Sequence, residues 1–93
     1  MSEKILSISI AAYNVENVIK KCLDSLCECR YFDKLDIIVV DDGSSDQTVD
    51  LVTSYVQKFP NIITLIAKEN GGHGSTINAS LKVAKGKYYK VLD

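Results

Sequence analysis

Two adjacent carboxylates, Asp41 and Asp42, end an apolar run and are followed at once by Gly43-Ser44-Ser45-Asp46. Side chains alternate along a strand, so neighbouring acids leave it in different directions. One acid can lock the turn while the other faces a ligand. Carboxylates at the carboxyl end of a buried parallel strand stand where open α/β sheets take their ligands. Ser44, Ser45 and Asp46 suit a plainer task, since serine and aspartate close turns and cap helices. One cap does not need two carboxylates, and that sets Asp41-Asp42 apart.

Three further segments carry groups that suit the same ligand. They are Ala11-Ala12-Tyr13-Asn14, Asn70-Gly71-Gly72-His73-Gly74 and Asp93. A ring beside an acid suits a nucleobase, which stacks on the face while the carboxylate accepts an N–H. Acids suit a divalent cation that neutralises a diphosphate. A glycine loop that runs into a helix N-terminus lets backbone N–H groups approach phosphate or sugar oxygens. Each segment has a plainer alternative: Gly71-Gly72 a simple turn, His73 a loop or capping residue, Tyr13 a ring packed under the loop, Asp93 a solvated acid. Their convergence on one rim favours a nucleotide-type ligand.

That convergence depends on the elements. Ile5 to Ala11 is an isoleucine-rich strand. From Val15, the residues Val18, Ile19, Cys22, Leu23, Leu26 and Cys27 recur at three- and four-residue spacing and predict an amphipathic helix. Leu35 to Val40 forms a second strand, apolar on both faces at its end as a central parallel strand should be. Ser45 or Asp46 caps a second helix with the stripe Val49, Val52, Tyr55, Val56 and Phe59, which Pro60 stops. Ile62 to Ile66 is the third strand. Ser75 or Thr76 opens a third helix with Ile77, Leu81 and Ala84 inward, and Gly86 closes it as a C′ glycine. Lys87 to Leu92 is the fourth strand. The pattern is βαβαβαβ, and right-handed crossovers turn it into a Rossmann-like open parallel sheet with helices on both faces.

Ninety-three residues suit one small domain. A net charge of -1 leaves no electrostatic footprint for nucleic acid. No apolar stretch approaches the roughly 20 residues that span a bilayer, and the N-terminus lacks a signal-peptide pattern, so a cytoplasmic location is expected. Cys22, Cys27 and Cys29 are odd in number and closely spaced, which argues against a disulfide framework, and Cys22 and Cys27, near the apolar face of the first helix, suit core thiols.

The motifs Ile8-Ser9-Ile10-Ala11-Ala12-Tyr13-Asn14 and Ile38-Val39-Val40-Asp41-Asp42-Gly43-Ser44-Ser45-Asp46 resemble the opening motifs of family 2 glycosyltransferases with the GT-A fold. Glu69-Asn70-Gly71-Gly72 and Ala84-Lys85-Gly86-Lys87-Tyr88 extend the resemblance over almost the whole chain. It implies an inverting transfer from a nucleotide-sugar donor, a UDP-sugar in most such enzymes, to a hydroxyl acceptor such as a polysaccharide or lipid-linked glycan. By position, Tyr13 matches the aromatic residue against the base and Asp42 the acid that binds it. Asp41 supports that acid, and Ala11, Asn70, Gly71 and Gly72 complete the donor site. Val91-Leu92-Asp93 looks like the strand that delivers an Asp-x-Asp motif, with Asp93 as its first acid and ligand of a manganese or magnesium ion. The catalytic base is expected beyond residue 93. Many relatives have proline where Ala11 stands, and an arginine before the asparagine where this chain has Ile77-Asn78.

The resemblance therefore implies that residues 1–93 form the donor-binding, N-terminal part of a GT-A domain, cut after strand four and inactive alone, in a full-length protein at the inner face of the membrane. Two other functions fit a Rossmann-like chain. A dinucleotide-binding domain should carry Gly-x-Gly-x-x-Gly after strand one, where Ala11 to Glu16 has no glycine. A non-enzymatic assembly module would self-associate through the open edge of strand four.

Overall fold

The computed structural model describes residues 3–69 and 73–92, the side chains of 73–75 excepted. Four strands, β1 (Leu6–Ala12), β2 (Leu35–Asp42), β3 (Ile63–Lys68) and β4 (Tyr88–Leu92), make one parallel sheet in the order β3-β2-β1-β4. The crossovers are α1 (Glu16–Cys27), α2 (Thr48–Lys58) and α3 (His73–Val83), and a 3-10 turn at Phe32–Lys34 leads into β2. The chain order reverses at β1, with β2 and β3 on one side and β4 on the other. Ligands of open α/β sheets settle outside the carboxyl ends of the strands at such a reversal.

The two faces of the sheet are built differently. On one, Ile8, Ile10 and Ala12 of β1 and Leu35, Ile37 and Val39 of β2 pack with Ile19 and Leu23 of α1 and Val52 of α2. Phe32 meets Phe59 edge-on, with ring centroids 4.9 Å apart. The alternate residues Ser7, Ser9, Asp36, Ile38 and Val40 are also buried. They lie on the face covered by α3, which packs on β1 and β2.

That second face accounts for the largest departure from the expected pattern. The third helix opens at His73, ahead of Ser75 and Thr76, and Leu81 is 51% exposed rather than inward. The residues turned to the sheet are Thr76 and Ser80, 2% and 0% exposed. Small hydroxyl side chains let a helix sit close over the serines of β1, and their polar atoms find partners. The Ser80 hydroxyl lies 2.9 Å from the Ile77 carbonyl and shares a hydrogen with the Tyr89 hydroxyl on β4. A search for apolar periodicity passes over such a face.

Gly86 also serves a purpose other than the expected left-handed helix cap. Among the described residues the positive-φ glycine is Gly43, at φ 86°. A Cβ on Gly86 would stand 2.5 Å from the Ser7 nitrogen and 2.7 Å from the Leu6 carbonyl carbon. The missing side chain thus permits contact between backbones. The Gly86 amide donates to Ser7 Oγ at 2.7 Å, and that hydroxyl donates to Asp36 Oδ2 at 2.8 Å. The Lys85 amide reaches the same oxygen at 2.7 Å. This buried chain of bonds ties the entry of β4 to both central strands.

Smaller differences follow from tertiary context. Strand β2 runs through both acids instead of stopping at Val40, and β3 continues to Lys68. Val18, on the α1 stripe, is 57% exposed because the sheet narrows to the single strand β4 on that side. Cys22 packs against the core, Cys27 is half-buried and Cys29 exposed, all as free thiols. Burial pushes the Cys22 thiol above its ordinary range. Among the described residues no helix is long and apolar enough to cross a membrane.

Gly86→Ala is expected to lower stability by about 1–3 kcal/mol through overpacking against β1. Asp36→Ala is expected to cost a similar amount, about 1–3 kcal/mol, by leaving the Ser7 hydroxyl and Lys85 amide without their acceptor. Urea midpoints by circular dichroism check both, and unchanged midpoints would contradict the clamp.

Candidate functional site

Asp41 and Asp42 part as alternation requires. Asp41 turns to the side of α1 and α2 and is 2% exposed. Its Oδ2 accepts the Ser44 amide at 3.0 Å, and its other oxygen accepts the Ser44 hydroxyl. Gly43 supplies the left-handed step that folds the turn back over the acid. Asp42 leaves by the opposite face. Its register partner on β3 is Lys68, whose Nζ lies 2.6 Å from Asp42 Oδ1.

The turn after β2 also builds the turn after β1. The Asn14 amide donates to Ser44 Oγ at 2.9 Å, and the Ser45 amide donates to Asn14 Oδ1 at 2.8 Å. Asn14 takes φ 51°, a conformation that asparagine tolerates better than most residues. The helix N-termini are exchanged too. Asp46 Oδ2 accepts the Glu16 amide at 3.2 Å, and Glu16 Oε2 accepts the Gln47 amide at 3.3 Å. Asp46 Oδ1 accepts both the amide and the hydroxyl of Thr48, while Thr48 Oγ1 accepts the Val15 amide at 3.0 Å. The formal N-cap residues, Val15 and Gln47, make no side-chain cap bond. Asp46 and Thr48 serve α1 and α2 together. Desolvation pushes the Asp46 carboxyl up, but the hydroxyl and amide of Thr48 and the amide of Glu16 outweigh it and hold it below its ordinary value.

With both turns fixed, a crevice of about 190 Å³ opens at the carboxyl rim. It is lined by Ala11, Ala12 and Tyr13 from β1 and the turn after it, Asp42 from β2 and Thr76 from α3. Tyr13 is 52% exposed, so its ring is open to a stacking partner. Of the expected donor-site residues, Ala11, Tyr13 and Asp42 meet here. Asp41 does not line the crevice; its carboxylate holds the Ser44 turn behind it. Asn70, Gly71, Gly72 and Asp93 lie outside the described residues. Two residues of the site escaped the sequence analysis. Thr76 looked like a helix opener, and Lys68 lay beyond the expected end of β3. Parallel register was the available signal for Lys68, because it places that residue opposite Asp42.

Among the described residues no three of His, Cys, Asp and Glu converge as a metal-holding group. Asp42, the acid in the crevice, is already paired with an ammonium. These residues do not by themselves fit a cation.

The four-stranded parallel sheet with its three helices superposes on the Rossmann-like fold of GT-A glycosyltransferases. Residues 7–93 match the family model for Glycosyl transferase family 2, and the chain belongs to that family. A poly(ribitol-phosphate) beta-glucosyltransferase of Bacillus spizizenii is 38% identical over 90 residues, which cover 95% of this chain and 14% of the relative. S. aureus TarS 1-349 in complex with UDP-GlcNAc superposes with a TM-score of 0.85 at 30% identity, over 96% of this chain and 26% of that one. The mannosyltransferase PcManGT from Pyrobaculum calidifontis, in complex with GDP-Man and Mn2+, gives 0.78 at 29% identity, over 90% of this chain and 25% of that one. The chain spans about a third or less of the length of the curated relatives it matches. Family membership decides against the dinucleotide-binding alternative.

The Asp46 contacts carry a pH signature. A carboxyl held lower in the fold than in the open chain adds stability that is complete above its ordinary pKa. That stability is lost as pH falls through the folded value. Asp46→Ala is therefore expected to lower the urea midpoint at pH 7, with the gap to the parent chain narrowing below about pH 4. A gap that stays constant down to acid unfolding would rule out the ionised cap.

Proposed function

We propose that this chain is the donor-binding part of an inverting glycosyltransferase that takes a UDP-sugar. The observation that carries the proposal is the pairing of an open tyrosine ring with a carboxylate in one crevice at the rim. The Tyr13 ring stacks on the base, and Asp42 accepts an N–H from it. Asp41 acts at one remove, by fixing the turn that follows Asp42. Asn70, Gly71 and Gly72 complete the donor site, as the resemblance implies. The complexes of related folds with UDP-GlcNAc and with GDP-Man support a nucleotide-sugar ligand.

In the complete protein, the acceptor hydroxyl oxygen bonds to the anomeric carbon from the face opposite the nucleotide. The bond from that carbon to the diphosphate oxygen breaks, and the nucleoside diphosphate leaves with the electron pair. The hydroxyl proton passes to a carboxylate base that lies beyond residue 93. A polysaccharide or lipid-linked glycan is the acceptor. A divalent cation, manganese or magnesium, would screen the diphosphate, with Asp93 as its first acid. Without the base and acceptor site, the chain alone binds the donor and does not turn over.

The test is a titration of 15N-labelled chain with UDP and, separately, GDP, each with and without manganese. Amide shifts at Tyr13, Asp42 and Gly72 are expected with UDP, and Asp42→Ala should weaken binding by about tenfold, as loss of a hydrogen bond to a charged group does. Amides unmoved by millimolar nucleotide would overturn the site. Shifts with GDP alone would replace the donor class. Steady sugar transfer by the isolated chain would refute its inactivity.

A further inference from the structure

We propose that Lys68 is a positioning residue for the nucleobase, acting through Asp42. The inference rests on the donor site proposed above and extends it to a residue that does not itself line the crevice.

Lys68 ends β3 and Asp42 ends β2, directly opposite each other in the parallel register. Their side chains share a face of the sheet and meet at 2.6 Å, with only 18% and 13% of their surfaces exposed. The ammonium is anchored a second time, donating to the Glu69 carbonyl at 2.8 Å. It therefore cannot swing away without abandoning two bonds. A pair so shielded from water is screened far less than a surface pair.

Two consequences follow for the crevice. The bond to Oδ1 fixes the rotation of the Asp42 carboxylate, so that its approach to the ligand is set before the ligand arrives. Ordering a polar group in advance removes that cost from binding. The ammonium also offsets the charge of Asp42. A nucleoside diphosphate is an anion, and an uncompensated carboxylate beside its base would repel it. Lys68 thus makes it possible to read a base with an acid while the ligand carries negative phosphates.

A double-mutant cycle with UDP as the probe separates this role from a structural one. Lys68→Met is expected to weaken UDP binding by about tenfold in the parent chain, yet by less than about twofold on top of Asp42→Ala, because residues acting through one another are not additive. Lys68→Arg keeps the charge and should restore affinity to within about threefold of the parent. Binding of inorganic pyrophosphate, titrated alongside, should weaken less than that of UDP in Lys68→Met, because it meets the uncompensated Asp42 charge but makes no use of the carboxylate's orientation. Equal losses from Lys68→Met with and without Asp42 would overturn the proposal, as would parent-like affinity in Lys68→Met. A parent chain that ignores UDP would overturn the donor site itself, and this inference with it.

Discussion

The site depends on hydrogen bonds exchanged between the turn after β1 and the turn after β2. Neither turn is complete by itself. The Asn14 amide rests on Ser44, and the Ser45 amide rests on Asn14. The first amide of α1 rests on Asp46, and the amide before α2 rests on Glu16. Helix N-termini leave amides that need acceptors, and here each loop supplies acceptors to the other. Tyr13, just past the end of β1, and Asp42, at the end of β2, flank this lattice. Their separation is consequently set by short bonds between loops rather than by either loop's own preference. The seryl and aspartyl residues of the Gly43-Ser44-Ser45-Asp46 turn hold the rim together, while Asp42 beside them faces the crevice.

Adjacent acids with different tasks are a consequence of strand geometry. Because β2 stays regular through Asp42, Asp41 must face the side of α1 and α2 and Asp42 the side of α3. Had the strand ended at Val40, the acids would have belonged to a flexible turn and their directions would have been free. The extension of β2 over both acids is matched by β3, which continues to Lys68 and pairs with it. Two extra residues of sheet at the rim turn a pair of loop acids into one buried anchor and one directed group.

The parts of the fold driven by apolar periodicity were legible in the sequence. The strand-helix alternation, the second strand, and the stripes around Ile19, Leu23 and Val52 all follow from it. The convergence of Ala11, Tyr13 and Asp42 followed from topology alone, since parallel strands bring their carboxyl ends to one rim. What the sequence concealed was polar packing. Thr76 and Ser80 are buried because α3 lies over serines, a matching of small residues that no hydrophobic pattern reveals. Gly86 has the position of a helix cap and the function of a close contact, and the two are told apart only by what lies opposite it. Lys68 is a solvated lysine until register puts it across from Asp42.

The polar face under α3 also explains how so small a sheet keeps its rim in order. A purely apolar interface can slide at little cost, because one methyl contact resembles the next. The bonds from Gly86 through Ser7 to Asp36, and from Lys85 directly to Asp36, cannot, since a shift leaves donors without their acceptor. These bonds lie at the amino end of the strands and fix where β4 enters beside β1. The loop lattice lies at the carboxyl end and fixes where β1 and β2 depart. Between the two clamps, the strands carry the positions of Ala11, Asp42 and the end of β4 as rigid extensions. The apolar face supplies most of the driving force for folding, and the polar contacts select the single register in which Ala11, Tyr13 and Asp42 meet.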